Sequence, residues 1–180
     1  MSGYYTGKGD DGTTGLLAKG RVHKSDAIID AIGAVDELNS SIGIALFYIH
    51  DDLVRLELKL IQNDLFVIGA NLASIDEKKI SEARVDAESI VRIENSIKSF
   101  GDKMPPLKKF VLPGGGEGSV HLHMSRAVAR RAEREIAKAS KSYKVDKVVG
   151  AYINRLSSFL FVAALYLNYI EGIKEDSPTY

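Results

Sequence analysis

The sequence predicts an all-α fold, a five-helix bundle, on three observations. Apolar residues recur at three- and four-residue steps over most of the chain, strand-type alternation is nearly absent, and glycine is concentrated where no helix can form. Of the sixteen glycines, six fall in residues 1–20 and four in residues 114–118. Backbone freedom is therefore gathered into two segments, and those two are the candidate sites.

The chain opens with Tyr5-Thr6-Gly7-Lys8-Gly9-Asp10-Asp11-Gly12-Thr13-Thr14-Gly15 and a basic run at Arg21, His23 and Lys24. Glycines 7, 9, 12 and 15 let backbone amides turn inward, the threonines add donors, and Lys8 and Lys24 supply charge for a polyphosphate. The common phosphate loop is excluded, since no lysine follows Gly12 or Gly15 at its spacing. A dinucleotide fingerprint is excluded as well, since no apolar strand precedes the glycines. A glycine-rich terminal tail is the plainer alternative.

Helical periodicity begins after this segment. Ile28, Ile32, Val35, Leu38, Ile42, Ala45 and Ile49 predict a first helix over about 26–49, with Ser25 placed to cap it. A second starts near Asp52 and carries Leu53, Leu56, Leu60, Val67 and Leu72. A third, with Ile90, Ile93, Ile97 and Phe100, stops at Gly101. Residues 101–118 hold Pro105, Pro106, Pro113 and Gly114-Gly115-Gly116, which exclude regular structure and predict a long loop. Two more helices follow, over about 119–142 and 146–171. The last is apolar on two faces, with Val149, Ile153, Leu156, Leu160, Ala163 and Leu167 on one and Phe161 and Leu165 nearly opposite. Such a helix is central in a bundle or lies at a subunit contact, which favours a homo-oligomer.

Composition bounds the function. At 180 residues and 45% hydrophobic, the chain makes one domain with a sizeable core. Its expected parts are a loop over 1–25, a bundle over 26–171 and a tail over 172–180. Lysine plus arginine equal aspartate plus glutamate at 24 each, so no overall attraction to nucleic acid or an anionic membrane is expected. No segment reads as long and apolar enough to span a bilayer, and no signal peptide is evident. A cytoplasmic protein is the simplest expectation. The absence of cysteine removes thiol nucleophiles and thiolate metal sites.

Against that neutral background Arg126, Arg130, Arg131 and Arg134 fall within nine residues of the fourth helix. At 100° per residue Arg126, Arg130 and Glu133 stack on one side with Arg134 beside them, a ladder of fixed donors suited to phosphate. The alternative is an exposed face with local ion pairs. Asp36, mid-helix beside Val35 and Leu38, is expected to be partly buried and to pair with Arg126 or Arg130. Asn154 interrupts the apolar final helix and would either hold a ribose or base edge or fix helix register. His121 and His123 lie two apart, on different sides of a helix, and read as surface or cap histidines. No metal site is expected. A di-iron carboxylate bundle is excluded because the Glu-x-x-His pairs it needs are missing.

Five motifs in order, Tyr5-Thr6 to Gly12, Val35-Asp36-Glu37-Leu38-Asn39, Phe110-Val111-Leu112-Pro113-Gly114-Gly115, Arg126 to Arg134, and Tyr152-Ile153-Asn154-Arg155-Leu156-Ser157, closely resemble the PduO-type ATP:cob(I)alamin adenosyltransferases. The resemblance covers nearly the whole chain. It implies a five-helix homotrimer with ATP held between adjacent subunits, by the N-terminal loop of one and the arginine helix of another. Carried over by motif, Thr6, Gly7, Lys8, Gly9, Thr14, Gly15 and Lys24 would hold the nucleotide together with Arg130, Arg131, Glu133, Arg134 and Asn154. Asp36 and Arg126 would form the ion pair shaping the corrinoid side.

The implied reaction transfers the 5′-deoxyadenosyl group of ATP to the cobalt of cob(I)alamin or a precursor corrinoid, releasing triphosphate. Arg130, Lys8, Lys24 and Mg2+ would neutralise the leaving group. Phe110 would help expel the lower axial ligand of cob(II)alamin. A corrinoid reductase and an adenosylcobalamin-dependent acceptor enzyme are the further partners implied. The chain departs from the commonest family pattern at His23 and Ser25, where proline and aspartate are frequent. A non-catalytic carrier or sensor of ATP and corrinoid is the alternative from another functional class.

Overall fold

The computed structural model describes residues 3, 5–17, 20–74 and 84–179. Its elements are β1 (Thr13–Leu16), β2 (Gly20–His23), α1 (Ala27–Tyr48), α2 (Asp52–Ala73), α3 (Ala87–Gly101), α4 (Glu117–Ala139) and α5 (Lys147–Ile170). The five expected helices are present. Aspartates start four of them: Asp26, Asp51, Asp86 and Asp146 accept backbone N–H groups of Ile28, Val54, Ser89 and Val148, satisfying donors that a helix start leaves orphaned. Asp26, not Ser25, caps α1; the Ser25 hydroxyl instead meets His23 Nδ1 at 2.6 Å.

The strands depart from the all-helical expectation. β1 and β2 pair antiparallel, Thr13 opposite His23 and Leu16 opposite Gly20, so the glycine segment ends in a hairpin. Strands of four residues with little apolar alternation leave no periodic signal in the sequence. Leu16 is buried, and the Leu17 amide donates to the Ala73 carbonyl at 3.0 Å, which fixes the hairpin to the end of α2.

In the bundle α1 packs on α2 and α4, α4 on α5, and α5 on α3. Three cross-links order α1 against α4: Asp30 with Lys138 at 2.9 Å, Glu37 with Arg131, and Tyr48 stacked on His121 at 4.5 Å. The numbers fall along one helix as they rise along the other, so the pair is antiparallel. α2, α3 and α5 meet at a polar seam, where Arg92 contacts both Glu57 and Asp64 and the buried Tyr152 hydroxyl donates to Asp64 at 2.7 Å. Burial lifts the Asp64 carboxyl above its ordinary range, with the Tyr152 bond opposing, and pushes the Tyr152 phenol upward.

Two expectations about helix faces need correction. In α2 the core stripe is Val54, Leu58, Ile61, Leu65, Ile68 and Leu72, whereas Leu53, Leu56 and Leu60 are exposed. This helix carries leucines on two sides, and periodicity alone did not say which faces inward. α5, read as too short of apolar character to cross a membrane, is in fact long and apolar enough by composition. Its place between α3 and α4 accounts for that character: Leu165 and the opposite stripe are both buried within the chain.

Candidate active site

A cavity of about 860 Å3 opens between the 107–113 loop, α4 and α5. Phe110, Val111 and Pro113 form one wall, Phe161 and Val162 another, and Arg126 and Arg130 enter from α4. Most of the lining is apolar, with guanidinium groups at one side, so the space suits a large, largely apolar ligand beside an anion. Phe110 is 80% exposed, which is costly for an isolated ring and apt for one that meets a ligand.

Arg126 is half-buried, its guanidinium 5.9 Å from the centre of the Phe161 ring, and its Nε has no hydrogen-bond partner among the described residues. Arg130 is exposed, and its carbonyl accepts from the Arg134 guanidinium at 3.0 Å. Arg131 turns the other way and pairs with Glu37 of α1. The Asn154 amide donates to Glu133 at 2.9 Å, joining two of the expected site residues across α4 and α5. Arg126 and Arg130 thus share one cavity with Phe110, while Glu133, Asn154 and Arg134 lie along the neighbouring turns.

Asp36 corrects the expected burial. It is exposed and makes no ion pair with Arg126 or Arg130 among the described residues. The helical period explains this: Val35 and Leu38 turn to the core, while Asp36 falls on an outward stripe with Ser40, Ile44 and Phe47. Apolar sequence neighbours do not bury a helical residue.

The N-terminal segment forms a separate group. Lys8 donates its amide to Thr6 Oγ1 at 3.4 Å; Gly7 and Gly12 take positive φ of 66° and 80°, which glycine alone adopts freely. Gly9 lies against the Lys24 side chain, and the Lys24 amide donates to the Gly12 carbonyl at 2.9 Å. Thr14 and Gly15 lie in β1 opposite Val22 and Arg21. Arg21, not singled out by sequence reasoning, ties the group together by donating to Thr13 Oγ1 at 2.8 Å, the Thr13 carbonyl at 3.1 Å and the Lys8 carbonyl. Its only sequence signal was membership of a basic run. Asp11 accepts from the Thr13 hydroxyl and amide, which hold its carboxyl below the usual range. Among the described residues no hydrogen bond, ion pair or cavity joins this group to Arg126, Arg130 or Arg134 of the same chain.

His123, expected as a surface or cap histidine, is 4% exposed and packs edge-on against Phe161 at 6.0 Å, with both ring nitrogens unpartnered among the described residues. Burial, followed by the nearby Arg126 charge, lowers its pKa, and Glu175 opposes. Among the described residues no cluster of three or more histidine or carboxylate side chains could hold a metal ion.

The cobalamin adenosyltransferase family model matches residues 4–167. The chain belongs to the cobalamin adenosyltransferase family. It is 40% identical over 174 residues to the corrinoid adenosyltransferase of Bacillus subtilis, covering 94% of this chain and 88% of that protein. It is 38% identical to the corrinoid adenosyltransferase PduO of Citrobacter freundii, covering 89% of this chain and 48% of that longer protein. A solved structure of a phenylalanine-to-alanine variant of the PduO-type ATP:corrinoid adenosyltransferase from Lactobacillus reuteri, complexed with cobalamin and ATP, superposes with a TM-score of 0.91 at 33% identity. That match covers 98% of this chain and 99% of the other. The five-helix adenosyltransferase fold expected from the sequence is therefore the fold of this chain.

Proposed function

We infer that this chain transfers the 5′-deoxyadenosyl group of ATP to the cobalt of a reduced corrinoid. The observation that carries the reading is the cavity itself: an apolar space walled by Phe110 and Phe161 and edged by Arg126 and Arg130, in a member of this family. The Co(I) electron pair attacks the ribose C5′ carbon. The C5′–O bond breaks, its pair leaves on the triphosphate, and cobalt ends two units more oxidised. No proton needs to move at the reacting atoms, so no general base is required. A separate reductant must supply Co(I).

The protein's part is orientation and charge. Arg130 takes the triphosphate side of the cavity, and its fixed fork matches phosphate oxygens. Lys8 and Lys24, with the turned backbone at Gly7, Gly9 and Gly12, supply the second anion-binding surface, with Thr6, Thr14 and Gly15 on the same segment. Glu133, Arg134 and Asn154 complete the nucleotide side, whereas Arg131 is engaged by Glu37 of α1; the Glu133–Asn154 bond sets the orientation of both side chains. Mg2+ takes few protein ligands and keeps waters and phosphates. The scattered carboxylates here fit an ion that arrives on ATP rather than one caged by the chain.

The site is built between subunits of a homotrimer in this reading. Three features support it: the N-terminal group and the arginine helix are not joined within one chain among the described residues, Arg126 Nε lacks a partner, and Asp36 stands exposed with Ile44 and Phe47. Asp36 then pairs with Arg126 of a neighbouring chain. The test is an anaerobic assay with Mg-ATP and chemically reduced cob(I)alamin, following light-sensitive adenosylcobalamin and triphosphate. Multiple turnovers are expected; binding of ATP without product would replace the enzyme with a carrier or sensor.

A further inference from the structure

Asn168, in the last turn of α5, is completely buried in a run of apolar side chains, Leu165, Tyr166 and Leu167. Its amide reaches across to the glycine turn before α4. Oδ1 accepts from the Gly116 amide at 3.0 Å, and Nδ2 donates to the Gly114 carbonyl at 3.1 Å and reaches Glu175 Oε1 at 3.5 Å. A backbone N–H can only donate and a carbonyl can only accept, so this orientation of the amide is dictated by its partners.

The turn is shaped around that side chain. Gly115 has φ of 116°, and a Cβ there would overlap the Asn168 amide; one at Gly116 would overlap Glu171. α4 begins at Gly116 without any side-chain cap of its own, the one helix start here that lacks one. Ser119 Oγ adds a bond to the Gly114 carbonyl at 3.1 Å, and the Leu112 amide donates to the Asp176 carbonyl at 2.7 Å. The stem that follows Phe110 is thus held at Leu112, Gly114 and Gly116, and Asn168 supplies two of those holds. Phe110 itself, exposed on the cavity wall, has no comparable anchor.

We propose that Asn168 is a positioning residue for the reaction: its amide fixes the Gly114–Gly116 turn and thereby sets where the Phe110 ring meets the corrinoid. This rests on the reading, implied by the family resemblance, that Phe110 helps expel the lower axial ligand of cob(II)alamin. An aspartate of equal size would accept from Gly116 but could not donate to Gly114, and it would face Glu175 as a like charge. The turn would lose its hold with little change in volume.

The experiment compares wild type with Asn168→Asp, Gly115→Ala and Phe110→Ala, each as the ATP-loaded full chain. Four-coordinate cob(II)alamin is read by electron paramagnetic resonance, alongside ATP affinity and the transfer rate from preformed cob(I)alamin. Asn168→Asp is expected to lower the four-coordinate signal roughly tenfold or more, the scale of a slightly misplaced group, with ATP affinity unaltered. Gly115→Ala, which strains the same turn from the other side, is expected to do the same and carries the test if the aspartate variant does not fold. If Phe110→Ala lowers the signal and both turn variants leave it unchanged, the proposal is overturned while the Phe110 reading stands. If Phe110→Ala leaves the signal intact, the underlying reading fails and the proposal with it. A parallel fall in all three readouts for the turn variants would also overturn it, since that is the mark of a merely structural residue.

Discussion

Replacing Asp36 by asparagine removes one charge and leaves the outline of α1 unaltered, which makes it the sharpest probe of where the site is assembled. Asp36 is exposed in the single chain and Arg126 is half-buried with an unpartnered Nε, and among the described residues no ion pair engages either. If the two meet across a subunit contact, truncating one strands the other in a partly dry place, at a cost of about 2–5 kcal/mol. At about 1.4 kcal/mol per tenfold, this predicts a rise of roughly 30- to 4000-fold in corrinoid KM, dissociation of the proposed trimer at low protein concentration, or both. ATP KM serves as the internal control. Sedimentation velocity over a range of concentrations and corrinoid titration at saturating ATP give the two readouts. The swapped pair, Asp36→Arg with Arg126→Asp, should recover part of the loss, with a coupling energy of at least about 1.5 kcal/mol in the double-mutant cycle. A coupling below about 0.5 kcal/mol, or a single variant that stays trimeric with ordinary corrinoid KM, would refute the cross-subunit pair.

Three further outcomes are expected. Arg130→Ala should lower kcat by roughly 10²- to 10³-fold with the oligomer intact, and Arg130→Lys should restore only part because it keeps the charge without the fork; ordinary turnover in the alanine variant would remove Arg130 from the triphosphate. Tyr152→Phe should lose the 2.7 Å bond to Asp64 and about 1–3 kcal/mol of stability, read as a melting temperature lower by about 2–4 °C per kcal/mol. An unshifted melting curve would mean the seam relies on Arg92 alone. For His123 the sign follows from its lowered pKa: the unfolded chain binds a proton that the folded chain sheds, so stability should decline as pH falls below the ordinary imidazole value of about 6.5. In His123→Phe that acid-side loss should shrink, as measured by urea unfolding at roughly pH 7.5 and 5.5; equal losses in both proteins would place the proton elsewhere.

The helices were legible because their signals are local. The three- and four-residue apolar spacing needs no knowledge of the rest of the chain, and the ends of the first helix fell within a residue of those expected, although its cap is Asp26 rather than Ser25. What was missed depends on partners far away in sequence. The inward face of α2 is decided by α1, the burial of His123 by α5, and Asn168 joins a turn 54 residues before it. Arg21 acts through carbonyl and hydroxyl groups whose positions follow only from the hairpin register. A lone amide closing the apolar run 165–167 was nevertheless visible, as was His123 one residue after Leu122, and a polar side chain set among buried neighbours demands a partner.

That demand is met in one part of the bundle and left open in another. In the seam of α2, α3 and α5, Asp64 has both Arg92 and the Tyr152 hydroxyl, and at the end of α5 Asn168 has Gly114 and Gly116. On one turn of α4, by contrast, His123 Nδ1 and Nε2, Ser125 Oγ and Arg126 Nε are all buried without a partner among the described residues. Each such group costs about 1–3 kcal/mol, which folding alone leaves unrecovered. The cost falls beside Phe161 and the cavity, on the helix that also carries Arg130. A binding event that satisfied even some of these groups would regain that energy on docking, so in the proposed homotrimer the turn from His123 to Arg126 is where a neighbouring chain or a bound corrinoid would recover that cost.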